Sequence, residues 1–92
     1  MRYAGIDVAS EKHFVAVISG EGEVLQKARP FVEDAEGYAE LFKTLGGAGE
    51  VLVAMEATGH YWKNLFAALT AEGYRVAGIN PLRAPRRISG GG

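Results

Sequence analysis

No cysteine occurs in the 92 residues, which excludes disulfides and thiolate-bound zinc and fits a reducing compartment. No apolar run approaches the roughly 18–20 residues of a membrane-spanning helix. The first residues also lack the basic stretch, apolar segment and small-residue cleavage site of a secretory signal. A cytoplasmic protein with no membrane partner is therefore the expectation. Charge of one sign is missing too: ten Lys and Arg against eleven Asp and Glu leave a formal charge of -1, too even for a binder that holds nucleic acid through bulk charge. That balance ends at Glu72, after which no acid follows while Arg75, Arg83, Arg86 and Arg87 do. Hydrophobic residues at 48% and charged residues at 23% are ordinary globular values, so the chain suits one small domain with a modest core.

What is present is a change of hydrophobic period along the chain. Residues 3–8, 12–19 (KHFVAVIS) and 24–32 read as three strands rich in β-branched and aromatic residues. The glycines of Gly20-Glu21-Gly22-Glu23 suit a hairpin turn between the second and third, giving an antiparallel meander. Tyr38, Leu41, Phe42 and Leu45 then share one helical face, with Asp34 as N-cap and Gly46-Gly47 as the stop. Residues 50–57 (EVLVAMEA) read as a strand covered on both faces. A second helix carries Tyr61, Trp62, Leu65, Phe66 and Leu69, with Thr58 as its cap and Gly73 as its stop. Residues 74–80 form the last strand, ended by Pro81. The order is β-β-β-α-β-α-β: an α/β domain over residues 1–81, followed by a basic, Gly-rich tail over residues 82–92 that is expected to be disordered.

Two acids stand out within this pattern. Asp7 lies among Tyr3, Ala4, Ile6 and Val8, and Glu56 follows Val51, Leu52, Val53, Ala54 and Met55. An unpaired buried carboxylate is costly. In open α/β sheets ligands gather beyond the carboxyl ends of parallel strands. If the first and fourth strands are parallel neighbours, Asp7 and Glu56 meet there, and a hard cation such as Mg²⁺ or Mn²⁺ would offset their repulsion and support phosphoryl-transfer chemistry. The plainer alternative is that each acid reaches solvent at a strand end.

The segments GIDVASEKHFVAV and VAMEATGHYWKNLFAALTAEGYRVAGINP resemble the N-terminal part of the DEDD transposases of the IS110 family of insertion sequences, and the related Piv-type DNA invertases, over about residues 3–83. The strongest element is E-A-T-G followed by an aromatic pair, a helix and a strand ending in N-P. The resemblance implies a RuvC-like, ribonuclease H-type mixed sheet in the order 3-2-1-4-5, incomplete at the C-terminus. It also implies four metal-binding acids that cleave and join DNA strands, Asp7 matching the first and Glu56 the second. Implied partners are DNA and a non-coding bridging RNA, and self-association is expected. The third and fourth acids belong to a K-T-D-x-x-D-A-like motif that should follow N-P. Here Asn80-Pro81-Leu82-Arg83 leads into Ala84-Pro85-Arg86-Arg87 and no acid. The reading is therefore of a partial domain, inactive alone and holding metal weakly or not at all.

Other residues take secondary roles. Lys12, Lys63, Arg83, Arg86 and Arg87 are candidate phosphate contacts, against the alternative of a solvated surface and tail. Tyr61 and Trp62 are suited to stacking on bases, but their helical spacing points to Trp62 packing on the sheet with Tyr61 partly exposed. His13 and His60 read as structural or surface residues. Neither Ser10 nor Ser19 has a nearby base that would make it a nucleophile. Two rival functions remain. Actin-like ATPases and sugar kinases also begin G-I-D, but Val8-Ala9-Ser10-Glu11 lacks the glycine that lets the backbone approach a phosphate. A non-catalytic oligomerisation or nucleic-acid-binding remnant is the other.

Overall fold

The computed structural model describes residues 1–57 and 61–81, the last three of these as backbone. Strands β1 (Arg2–Val8), β2 (Lys12–Ile18) and β3 (Val24–Val32) form the antiparallel meander. Helix α1 (Ala35–Leu45), a 3-10 turn (Ala48–Glu50), β4 (Val51–Ala57), α2 (Trp62–Ala71) and β5 (Arg75–Pro81) follow. The five strands form one sheet in the order β3-β2-β1-β4-β5, with β1, β4 and β5 parallel to one another. Both the element order read from the sequence and the strand order implied by the resemblance are observed.

The ends of these elements follow local chemistry. The Gly22 backbone lies at φ 93°, closing the β2–β3 hairpin, whose Ser19 hydroxyl accepts from the backbone amides of Glu21 and Glu23. Asp34 caps α1 by accepting from the Gly37 amide at 2.7 Å. The Gly46 amide donates back to the Phe42 carbonyl, and the left-handed Gly73 follows α2. The expected cap Thr58 lies outside the described residues; α2 starts at Trp62, with Tyr61 in the cap position and no side-chain cap bond from it.

The two crossovers, β3 to β4 and β4 to β5, advance across the sheet in the same direction. Connections of constant hand therefore carry both helices to the same face. Ala4, Ile6, Val8, Val15, Val17, Val53, Met55 and Ala57 point to that face and form the core with Leu41 and Leu45 of α1 and Leu65 and Leu69 of α2. The sequence expectation that β4 is covered on both faces is incorrect. Ala54 and Glu56 are exposed and Leu52 is half-buried, because no helix among the described residues packs on their side. The same open face carries Tyr3, Phe14 and Ile18, which are 44%, 41% and 40% exposed.

Candidate functional site

The open face explains the two acids. In the parallel ladder Gly5 pairs with Ala54 and Asp7 with Glu56; in the antiparallel one Gly5 pairs with Ala16 and Asp7 with Phe14. Residues paired in register point to the same face. Asp7 and Glu56 therefore project side by side from the open face, on strands about 4.8 Å apart. Both are exposed. The apolar alternation around Asp7 puts its neighbours Ile6 and Val8 into the core and leaves the carboxylate outside, so no charge is buried.

A depression of about 530 Å³ lies beside the pair, floored by Gly5, Ala16, Ala28 and Ala54 and edged by Phe14. Small side chains keep this floor low, and a Cβ added at Gly5 would meet nothing within 4 Å. Among the described residues neither carboxylate enters a hydrogen bond or an ion pair. Four lone-pair-bearing oxygens thus face solvent at the carboxyl ends of two adjacent parallel strands. Hard oxygen donors of this kind fit Mg²⁺ or Mn²⁺, and two carboxylates supply part of a six-coordinate shell. No group of three or more His, Asp or Glu suited to a metal occurs among the described residues.

Two of the candidate phosphate contacts lie among the described residues, on different elements. Lys12 opens β2, in register with Val32, and Lys63 lies in the first turn of α2. Both are exposed, and neither enters an ion pair among the described residues. Arg83, Arg86, Arg87 and His60 lie outside the described residues. Trp62 packs partly against the core, edge-on to Phe66 at 5.9 Å, while Tyr61 is 44% exposed, as the helical spacing predicts.

His13 is the residue whose engagement the sequence did not convey. It is fully buried, in contact with Phe31 at a ring separation of 5.1 Å. The Ala9 amide donates to its Nδ1 at 3.1 Å, and its Nε2 lies 2.9 Å from Oε1 of Glu33. The other Glu33 oxygen accepts from Asn64 at 3.0 Å. The only local signal was the alternation that turns His13 inward with Val15 and Val17; its partner Glu33 lies 20 residues away, and Asn64 lies 31 residues beyond Glu33.

Comparison with known proteins places the chain in a family. Residues 4–90 match the model of the IS110-type DEDD transposase family, described as a transposase. A Streptomyces coelicolor protein assigned as the mini-circle transposase for IS117 is 38% identical over 89 residues, covering 91% of this chain. The chain spans about one fifth of the length of that relative. No helix among the described residues is long and apolar enough to cross a membrane. The chain belongs to the IS110 family of DEDD transposases.

Proposed function

We propose that residues 1–81 are the first part of a RuvC-like catalytic domain that moves an insertion sequence by metal-dependent DNA strand cleavage and joining. Asp7 and Glu56 are its first two acidic ligands. The observation that carries this reading is their register pairing on the open face, at the carboxyl ends of parallel strands, with no competing partner among the described residues. Bound there, Mg²⁺ or Mn²⁺ supplies activation of the attacking oxygen and neutralisation of charge on the leaving one. The protein's own contribution is to hold two carboxylates at a fixed spacing on a rigid sheet and to keep the floor beside them low enough for a DNA strand to approach.

No Asp or Glu follows Glu72 to match the remaining acids of the DEDD set, so the 92-residue polypeptide alone is expected not to cut DNA. DNA and a bridging RNA are the proposed partners of the whole protein. Lys12 and Lys63, together with the basic tail of residues 82–92 carrying Arg83, Arg86 and Arg87, are the proposed phosphate contacts. A cytoplasmic location accords with the lack of cysteine.

A second reading, self-association, draws support from the uncovered apolar side chains Tyr3, Phe14 and Ile18. It describes this chain by itself and is compatible with transposase descent. A plasmid-nicking assay with Mn²⁺, run on this chain and on its Asp7→Asn variant, tests the assignment. No nicking by either is predicted. Nicking that disappears in Asp7→Asn would show that two acids suffice.

A further inference from the structure

We propose that His13 is a positioning residue for Asp7, holding the carboxyl end of β1 in place through its neutral Nε2-protonated tautomer. The inference rests on the reading of Asp7 and Glu56 as metal ligands. The tautomer follows from the hydrogen bonds. Nδ1 accepts the Ala9 amide, so it carries no proton; the ring proton is then on Nε2 and is donated to Glu33.

The ring thereby joins four parts of the fold. Ala9 directly follows β1, His13 belongs to β2, Glu33 lies between β3 and α1, and Asn64 lies on α2. A side chain present only to fill space would be apolar at a position with 0% exposure. His13 instead uses both ring nitrogens, and one of them holds the main chain two residues beyond Asp7.

The location matters for the acid pair. The β1–β4 ladder ends with Asp7 opposite Glu56 and Val8 opposite Ala57. Among the described residues no pair of this ladder follows Val8, and the Ala9–His13 bond ties the chain just beyond it to β2, which limits fraying of this end of β1. Asp7 projects from one face and His13 from the other. His13 therefore acts on the carboxylate through the backbone and makes no contact with the metal.

The test compares the 92-residue chain with His13→Leu, which is apolar, and His13→Gln, which retains an acceptor and a donor. Long-range proton–nitrogen NMR of the wild type should show a bare Nδ1 and a protonated Nε2. In His13→Leu, amide exchange at Val8 and Ala9 should accelerate about tenfold, the scale of one lost buried hydrogen bond, while exchange at Val17 and Val53 is unchanged. Mg²⁺ affinity, read from amide shifts at residues 7 and 56, should fall in parallel, and His13→Gln should recover most of both losses.

A folded His13→Leu chain with wild-type exchange at Val8 and Ala9 and wild-type Mg²⁺ affinity would overturn the proposal, as would a wild-type ring protonated on Nδ1. If wild-type protein binds no Mg²⁺, the acid pair is a latent site in this chain. The positioning claim is then decided by the cross-strand contact between Asp7 and Glu56 backbone protons: lost in His13→Leu it stands, retained it falls. If His13→Leu does not fold, His13→Gln gives the answer through the same exchange and contact measurements, with accelerated exchange confined to Val8 and Ala9 supporting the proposal and general acceleration contradicting it.

Discussion

Asp7 stands opposite Glu56 in the parallel register of β1 and β4, on the sheet face that neither helix covers. Two like charges in directly opposed positions repel, typically by roughly 0.2–1 kcal/mol. In metal-free buffer either Asp7→Asn or Glu56→Gln should therefore raise the urea midpoint slightly, and combining them should add little, because one neutralisation already removes the repulsion. A fall in the midpoint for either variant would mean that the carboxylate is held by a favourable partner.

The one-sided sheet predicts unequal costs for removing large side chains. Leu65 is fully buried beneath α2, and Leu65→Ala should cost about 2–5 kcal/mol. Phe14 lies 41% exposed on the open face, so Phe14→Ala should cost far less. Chemical denaturation of both variants checks this; equal losses would mean that the open face is covered in solution, as self-association would cause.

Gly37 is buried where α1 meets the end of β3. A Cβ there would lie 1.8 Å from the Val32 carbonyl oxygen, a backbone atom that cannot swing aside. Gly37→Ala is predicted to destabilise the fold by at least the roughly 1–3 kcal/mol typical of overpacking. Asp34→Ala removes the cap one turn earlier and should cost about 1 kcal/mol. Thermal unfolding should rank them in that order.

Tyr74 closes the core at the start of β5. Its ring stacks on Phe42 at 5.7 Å, and its hydroxyl donates to the Gly46 carbonyl. Burial, then the nearby Glu72 charge, raise its pKa above the usual tyrosine value, with Arg2 acting in the opposite direction. Burial followed by Glu33 does the same to Tyr38. The folded state holds these protons more tightly than the unfolded chain. Their contribution to stability is therefore complete below about pH 10 and is lost as pH rises through the higher folded values. Tyr74→Phe should show a shallower alkaline loss, with a cost of about 1–3 kcal/mol at neutral pH for the Gly46 carbonyl left without its donor. An alkaline profile identical to wild type would exclude Tyr74 as the source.

Much of this architecture was legible in the residues because local chemistry wrote it. Alternation gave the strands, Gly22 the hairpin, Asp34 the cap, and Gly46 and Gly73 the helix ends. The pairing of Asp7 with Glu56 needed one topological step, and the resemblance supplied it. The single coverage of β4 was missed because a short apolar run looks the same whether one face or both are buried. The direction of the two crossovers decides it, and that is a property of the whole sheet.

The interactions of His13 and Arg2 were illegible for a related reason. The Arg2 guanidinium donates to the Leu45 carbonyl at 2.9 Å, 43 residues away, and Glu33 bridges His13 to Asn64 across three elements. No spacing rule reaches that far.

The central claim is that Asp7 and Glu56 together hold a divalent cation. A Mg²⁺ titration of the 92-residue chain followed by amide NMR, with a parallel Mn²⁺ series read as line broadening, tests it most directly. The prediction is that shifts and broadening centre on the ends of β1 and β4 and are greatly reduced in both Asp7→Asn and Glu56→Gln. Absent perturbations would leave the pair a latent site in this chain, and perturbations that scatter over the acidic surface or survive both substitutions would contradict it.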